Sequence, residues 1–336
     1  MPLLSIIIVN LNGAAVLPQC LAALAAQTWR DFELIIVDNG STDGSLKGAE
    51  ACWPALRVIR LGENTGFARA NNIGAQAARG PWLALLNNDA FPTPTWLEAL
   101  IRAAETHPAY TFFSSKIIQH NAPHLLDSTG DVYHVSGVAW NRQRNHPTPT
   151  AVATPNEVFS PMASAALYRR DAFLEVGGFD EDFVSYHEDI DLGFRLRLAG
   201  YRCLYVPEAV AYHIGSHTMG YASDFAIQQG HRNFVWAYVQ NMPTALFWRY
   251  LPAHLLANLV FSVVLSVRGQ AGPILRAKWG ALRGLPRALE KRQTIQRARR
   301  ASNADLLRVM DRGFLSPYIL GRRQRKCQQQ YENPPP

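Results

Sequence analysis

Four strand-like runs, each with Asn or Asp at or soon after its end, constrain this chain more than any other feature. Residues 3–9 are a nearly continuous apolar, β-branched run, and residues 32–37, 56–61 and 82–86 read as further strands. That is the pattern of strands covered on both faces, as in a parallel sheet. Between them, residues 14–27, 67–79 and 95–106 are rich in Ala and Leu and read as helices. Repeated strand–helix units of this length predict an α/β fold: a mostly parallel sheet flanked by helices, with no internal repeat. Open α/β sheets bind ligands outside the carboxyl ends of their strands. The polar residues collect there: Asn10 and Asn12, Asp38 and Asn39, Asn64, and Asn87 to Asp89. Asn and Asp also favour turns, but four strand ends together favour a site.

Length and composition narrow the alternatives. A chain of 336 residues, 48% apolar, can bury a sizeable core, and 18% charged residues is too few for a disordered chain. The four cysteines include no C-x-x-C pair. This argues against a thiolate zinc site, a redox motif or a disulfide scaffold, and suits a reducing compartment. No basic n-region precedes the first apolar run, so no signal peptide is expected. The sequence lacks G-x-G-x-x-G after its first strand and any G-x-x-x-x-G-K-[ST], which disfavours dinucleotide oxidoreductases and P-loop ATPases.

Individual residues then suggest chemistry. Asp38 closes a buried strand; it is either a turn residue or a carboxylate for a nucleobase imide or ribose hydroxyl. Asp89 is the one acid of Asn87-Asn88-Asp89 and could anchor a hard divalent cation that also bridges substrate phosphates. Residues 177–200 are the most informative. A Gly-Gly-Phe-Asp loop leads to His187-Glu188-Asp189-Ile190-Asp191, and Ile190, Phe194 and Leu198 mark a helix. Its N-terminal acids either complement the helix dipole or supply a general base that the dipole keeps ionised. His213 ends a short strand-like run, with His217 four residues on. A structural histidine and a metal ligand are equally good readings. Residues 141–157 show no periodicity and read as a long loop, disordered or a mobile lid.

These segments in this order resemble inverting nucleotide-sugar glycosyltransferases of family 2, with the GT-A fold. The matching stretches are Ser5-Ile6-Ile7-Ile8-Val9-Asn10, Val37-Asp38-Asn39-Gly40-Ser41-Thr42-Asp43, Glu63-Asn64-Thr65-Gly66-Phe67-Ala68, Leu85-Leu86-Asn87-Asn88-Asp89, and Gly178-Phe179-Asp180 with Glu188-Asp189-Ile190-Asp191-Leu192. The chain looks most like the bacterial rhamnosyltransferase branch, which builds cell-surface glycans. The resemblance implies that Asp38 holds the base beside the Val9–Asn10 backbone and that Gly66 and Phe67 flank the nucleoside. It places Asn87 and Asn88 at the donor and makes Asp89 and His213 ligands to Mg²⁺ or Mn²⁺. Asp189 is the implied catalytic base, with Glu188 the runner-up. One departure stands out: the family's D-x-D is Asn87-Asn88-Asp89 here, one charge fewer.

The C-terminal part is a different physical regime. Residues 268–326 hold 16 Lys and Arg against three acids, and residues 1–267 have a net charge of −5 within a chain total of +7. Before the basic stretch, residues 245–267 are strongly apolar, but only about 13 of them run without strong polar groups, fewer than the ~20 that span a bilayer. The expectation is a catalytic domain over residues 1–240 and an apolar, basic helical extension over 241–336. The extension would lie on an anionic membrane surface at the cytoplasmic face; a buried core helix or a homo-oligomer contact is the competing reading. Expected partners are a nucleoside-diphosphate sugar and a glycan or lipid-linked acceptor. Nucleic acid is not expected, since stacking aromatics are sparse among the basic residues. Two rivals are a nucleotidyltransferase and a non-catalytic membrane scaffold. The first needs a basic, glycine-rich loop where this chain has Asn10-Leu11-Asn12-Gly13.

Overall fold

A computed structural model describes residues 3–53, 55–215 and 223–319. Its first half alternates as the apolar runs demand. β1 (Leu4–Asn10), α1 (Leu17–Ala25), β2 (Phe32–Asp38), α2 (Ser45–Cys52), β3 (Arg57–Arg60), α3 (Phe67–Ala77) and β4 (Trp82–Leu86) follow in order. Then come β5 (Ala90–Pro92), α4 (Trp96–Thr106), β6 (Phe112–Gln119), β7 (Leu126–Ser128), β8 (Asp131–Tyr133) and β9 (Ala139–Asn141). They lead to β10 (Asn156–Val158), β11 (Ala165–Arg169), α5 (Arg170–Glu175), α6 (Glu188–Leu198) and β12 (Cys203–His213). The chain closes with α7 (Asp224–Asn241), α8 (Thr244–Leu265), α9 (Ala271–Arg297) and α10 (Asn303–Val309).

The main path of the sheet runs β3-β2-β1-β4-β11-β6-β12-β10. β3, β2, β1 and β4 are mutually parallel, while β11 inserts antiparallel between β4 and β6. β1, β2 and β4 are mostly apolar because both faces are covered, while the edge strand β3 carries Arg57 and Arg60 and is only half-buried. Ile6, Ile8, Leu34 and Ile36 pack toward α1 and α4; Ile7, Ile35, Val37, Leu83 and Leu85 pack toward α3 and α6. Gly74 lets α3 sit close: a Cβ there would stand 2.6 Å from Ile7 and 3.1 Å from Val37.

The segment expected to be a disordered loop or mobile lid, residues 141–157, is instead pinned. It contains a short 3₁₀ turn at Thr148–Thr150 and the start of β10, which pairs with β12. Arg142 donates to Thr129 and Asn156, and Gln143 receives a bond from Thr129. Hydrogen bonds scattered in sequence hold it, which is why no periodicity announces it. His217 lies outside the described residues.

The C-terminal helices lie against the body. α8 continues through a π-turn over Ser266–Gln270, where Gly269 takes φ 83°, into α9. Trp236 of α7 donates to the Ala281 carbonyl at 3.0 Å, and the Arg300 N–H reaches the Leu198 carbonyl at 2.8 Å. Gly284 is obligatory in this contact, since a Cβ would fall 2.1 Å from the Trp236 ring. By length and composition the α8–α9 stretch could cross a membrane, with mean hydropathy 1.7 over its best window.

Candidate active site

A cavity of about 910 Å³ opens at the carboxyl ends of β1, β2 and β4. Its walls bring together residues that lie far apart in the chain. Val9, Gly66, Phe67, Asn87, Asn88 and Asp89 line it on the strand side; Glu188, Asp189 and His213 face the same space. Asn10 and Asp38, adjacent in register at the ends of β1 and β2, are not lining residues. The Asn10 side chain is fully used: it donates to Ser41 at 3.1 Å and Ser45 at 2.9 Å and accepts from Asn88 at 3.0 Å. It ties the two strand-end loops together. Gly13 permits this closeness, since a Cβ there would stand 2.1 Å from the Asn10 Oδ1. Asp38 receives a long 3.4 Å bond from the Ser41 N–H.

Asn39, next to Asp38, organises the neighbouring turn. Its amide donates to Asn64 and to the Gly66 carbonyl, and its Oδ1 accepts from the Thr65 N–H at 2.8 Å. This shapes the turn that starts α3. Gly66 takes φ 88° there, and a Cβ would press on Val184 at 3.3 Å. The Phe67 N–H donates to the Val184 carbonyl at 3.1 Å, joining this wall to the loop before α6.

At one end of the cavity stands a chain of paired charges. His213 Nε2 lies 3.3 Å from Asp89, and its Nδ1 lies 2.8 Å from Asp127. The other oxygen of Asp127 meets Arg144 at 3.2 Å. Burial disfavours charge on His213, but the bonds to Asp127 and Asp89 outweigh it and push its pKa up to about 9. Burial and the neighbouring Asp89 oppose charge on Asp127, but the His213 bond and the Arg144 guanidinium outweigh them and hold its carboxyl below the usual range. Among the described residues no three His, Cys, Asp or Glu side chains cluster as a metal site. Asp89 and His213 alone can supply two donors. Their 3.3 Å separation is close to the edge between two neighbouring ligands ~2.1 Å from a common ion. Asp127 also presents the arrangement that fixes a metal-binding histidine, a carboxylate on the opposite ring nitrogen. The donor set fits a cation whose remaining ligands arrive with a diphosphate. Asn87, in place of an acid, stands 3.5 Å from His213 Nε2.

At the other end are acids. Asp189 accepts from the Ile190 N–H at 2.8 Å at the start of α6. Glu188 is buried, and its Oε2 has no hydrogen-bond partner among the described residues. Burial and the neighbouring Asp189 push Glu188 up to about 8. Burial also raises Asp189, against the backbone N–H groups of Ile190, Ala163 and its own residue. The expectation that the helix dipole keeps the base ionised is therefore incomplete: desolvation outweighs it. What the N–H groups do is set an order, with Glu188 taking a proton before Asp189. Asp191, the third acid, is structural. It pairs with Arg195 at 2.6 Å and accepts from Asn241 at 2.7 Å.

Three residues escaped the sequence reading. Asp127 was one; Asp131 is another, a cavity-lining acid bonded to Ser160 at 3.0 Å and raised by burial and Asp189. The third is Asn233. Val184, Tyr186 and His187 all have φ between 60° and 68°, a costly run for residues with side chains. The buried Asn233 amide holds it by donating to the carbonyls of Phe183, Ser185 and Tyr186 at 2.7 to 3.0 Å.

The family model for Glycosyl transferase family 2 matches residues 5–177. An N-acetylglucosaminyl-diphospho-decaprenol L-rhamnosyltransferase of Mycobacterium tuberculosis is 31% identical over 245 residues, 65% of this chain and 78% of that protein. The validoxylamine A glucosyltransferase of Streptomyces hygroscopicus subsp. jinggangensis is 31% identical over 226 residues, 59% of this chain and 52% of its own length. Among solved structures, S. aureus TarS 1-349 with UDP superposes with a TM-score of 0.59 at 18% identity, covering 98% of this chain and 91% of that one. The mannosyltransferase PcManGT from Pyrobaculum calidifontis, with GDP-Man and Mn²⁺, gives 0.51 at 17% identity, covering 98% and 83%. These two share the fold.

Proposed function

Because this chain belongs to glycosyl transferase family 2, and is an inverting glycosyltransferase of GT-A fold, we propose that it moves a sugar, rhamnose first among candidates, from a nucleoside diphosphate to a lipid-linked glycan. One observation carries this reading. The Asp89–His213 pair and the Glu188–Asp189 pair face a single cavity, so a leaving diphosphate and an attacking hydroxyl can occupy it together.

The roles follow from the chemistry of each end. Val9, Gly66 and Phe67 flank the nucleoside, with Asp38 and Asn10 at the strand ends beside it. Asn87 and Asn88 line the donor side. Asp189 takes the proton from the acceptor hydroxyl, whose oxygen attacks the anomeric carbon opposite the diphosphate. The bond from that carbon to the phosphate oxygen breaks, and configuration inverts. Glu188, protonated at neutral pH, removes the second negative charge that would otherwise oppose Asp189. Asp89 and His213 would hold Mg²⁺ or Mn²⁺, which supplies charge neutralisation for the departing diphosphate.

The protein acts at the cytoplasmic face of a membrane in this reading. Leu255, Leu259, Val263 and Val267 form an exposed stripe at four-residue spacing along α8 and its π-turn, and Leu275, Trp279 and Leu282 are exposed on α9. The opposite side of α8 packs inward through Leu246, His254 and Ala257. A helix packed on one side and apolar on the other, beside many bases, suits an interfacial position. The test is transfer from a panel of nucleotide-sugars, preselected by thermal shift, onto a prenyl-diphosphate-linked sugar. Product formation that is lost in Asp189→Asn supports the proposal. No donor turnover from any nucleotide-sugar, with or without Mn²⁺, refutes it.

A further inference from the structure

A second cavity, about 830 Å³, lies between α7 and α8. Ala139 and His187 line both it and the catalytic cavity, so the two share a wall beside the catalytic acids. The groove is mainly apolar, with Phe234 on α7 and Val260, Phe261 and Val264 on α8, and among the described residues no acid lines it. Val264 is also part of the exposed apolar face of α8, so the groove runs out onto that surface.

Its polar lining is basic or neutral: His187, His231, Arg268, Gln270 and Tyr318. Lys278, not itself a lining residue, stands 5.6 Å over the lining Phe234 ring, bonded to Asn258 at 2.6 Å, and makes no ion pair among the described residues. His231 presents an imidazole whose Nδ1 is buried and unpartnered among the described residues; burial and the nearby Lys278 and His187 hold it well below the usual imidazole range, so it is a neutral group. Arg268 lines it too, also without an ion pair among the described residues. Acids line the catalytic cavity, and the groove that shares its wall is lined by the His231 imidazole and apolar side chains, with the half-buried Lys278 ammonium on the Phe234 ring. A sugar joined through a diphosphate to an isoprenoid presents the chemistry complementary to these surroundings.

We propose that the α7–α8 groove seats the first isoprenyl units of a prenyl-diphosphate acceptor, with His231 and Lys278 facing its diphosphate and the sugar reaching Asp189 past His187. The assignment rests on the lipid-linked reading above and gives that acceptor a location. A volume in the range that holds drug-sized ligands suits the start of such a chain; the remainder would leave along the exposed stripe of α8.

Gly230 supplies the test. It lines the groove on α7, and a Cβ there meets nothing within 4 Å. Gly230→Phe therefore has room at its Cβ to place a ring at the groove, and it removes a poor helix former. The full-length protein and this variant are compared in two measurements. The first is binding of geranylgeranyl diphosphate by native mass spectrometry. The second is KM for a sugar diphosphate carried on a long polyprenyl chain and on a methyl group. We expect Gly230→Phe to weaken geranylgeranyl diphosphate binding and raise KM for the long acceptor roughly tenfold or more, leaving the methyl acceptor unchanged. Lys278→Met should weaken geranylgeranyl diphosphate but not geranylgeraniol. Unchanged prenyl binding and KM in Gly230→Phe, with helical content intact, overturns the proposal. So does a variant whose only loss is vesicle flotation or self-association, which would give the groove to bilayer acyl chains or a second copy. If the protein transfers to the long acceptor and the variant does so equally well, the reaction stands and the groove falls. If prenyl binding is present and lost in the variant but no sugar is transferred, the groove stands and the reaction falls.

Discussion

Replacing Asp127 with Asn tests the diphosphate end of the cavity without touching a proposed cation ligand. The side chain is almost inaccessible, and its two oxygens are divided between His213 at 2.8 Å and Arg144 at 3.2 Å. Asn preserves the shape and deletes the charge. Carboxylates that orient a metal-binding histidine typically contribute ~10–100-fold in affinity, or ~1.4–2.7 kcal/mol. A second effect acts through the proton. With His213 pushed up to about 9, a cation binding at pH 7 must displace a proton from an imidazole that is ~99% charged. Apparent affinity in the wild type should climb ~10-fold per pH unit between 7 and 9. In Asp127→Asn the main group that raises His213 is gone, so the slope should flatten. At pH 9, where proton competition is nearly over, the variant should bind ~10–100-fold more weakly. Calorimetric titration of Mg²⁺ at fixed nucleoside diphosphate at pH 7, 8 and 9 reads both effects. Equal affinities at pH 9, or a wild-type affinity flat with pH, would refute the reasoning that joins Asp127 to His213 and Asp89.

Asp189→Asn should nearly abolish transfer while donor binding, read by calorimetry, persists; a dead Glu188→Gln beside an active Asp189→Asn would reverse the two roles. Glu188 titrates near 8 in the fold against 4.5 as its ordinary value, so the folded state holds the extra proton and wild-type stability declines as pH rises between them. Glu188→Gln lacks that decline, and its Tm advantage over wild type should grow from pH 5 to pH 8. Asn233→Ala strands three carbonyls of the loop before α6 and should cost ~1–3 kcal/mol in chemical denaturation, with turnover reduced. Burial opposes charge on Glu33, but Ser5, the Arg79 N–H and the guanidinium groups of Arg57 and Arg79 hold it down at about 2. Its contribution is complete above pH 4.5 and lost as pH falls toward 2. The stability deficit of Glu33→Gln, measured by urea melts, should therefore shrink over that interval.

How far the sequence reveals the site depends on where each residue sits. Val9, Gly66, Phe67 and Asn87 to Asp89 could be found because they follow buried strands or open a helix, and apolar periodicity locates those ends. Asp127 and Asp131 could not, because they belong to three-residue strands in a stretch without periodicity. The one local signal was the cluster Asp127-Ser128-Thr129-Gly130-Asp131, which resembles any turn. Asn233 leaves no pattern at all: its partners are backbone carbonyls 47 to 50 residues away. The insertion of β11 between β4 and β6 was equally hidden, since an antiparallel strand covered on both faces has the same composition as a parallel one. The dipole argument at α6 was incomplete, because it counted the N–H groups and omitted the cost of taking three acids out of water.

The two ends of the cavity are held by different means, and this ties the C-terminal helices to the chemistry. The Asp89–His213 end stands on strand ends locked by ladder hydrogen bonds and by Asn10. The Glu188–Asp189 end follows a loop with left-handed residues. That loop is clamped by Asn233 and by Arg232, which donates to the Asp182 and Phe183 carbonyls. Both residues belong to α7. α7 is in turn set by α9, through Trp236 on the Ala281 carbonyl and over Gly284. α7 also forms one wall of the apolar groove. Any shift of the apolar helices against the body therefore reaches the backbone that carries Glu188 and Asp189, while leaving Asp89 and His213 in place. A cation and nucleotide should bind normally to a protein with α9 displaced, and only the positioning of the base should suffer.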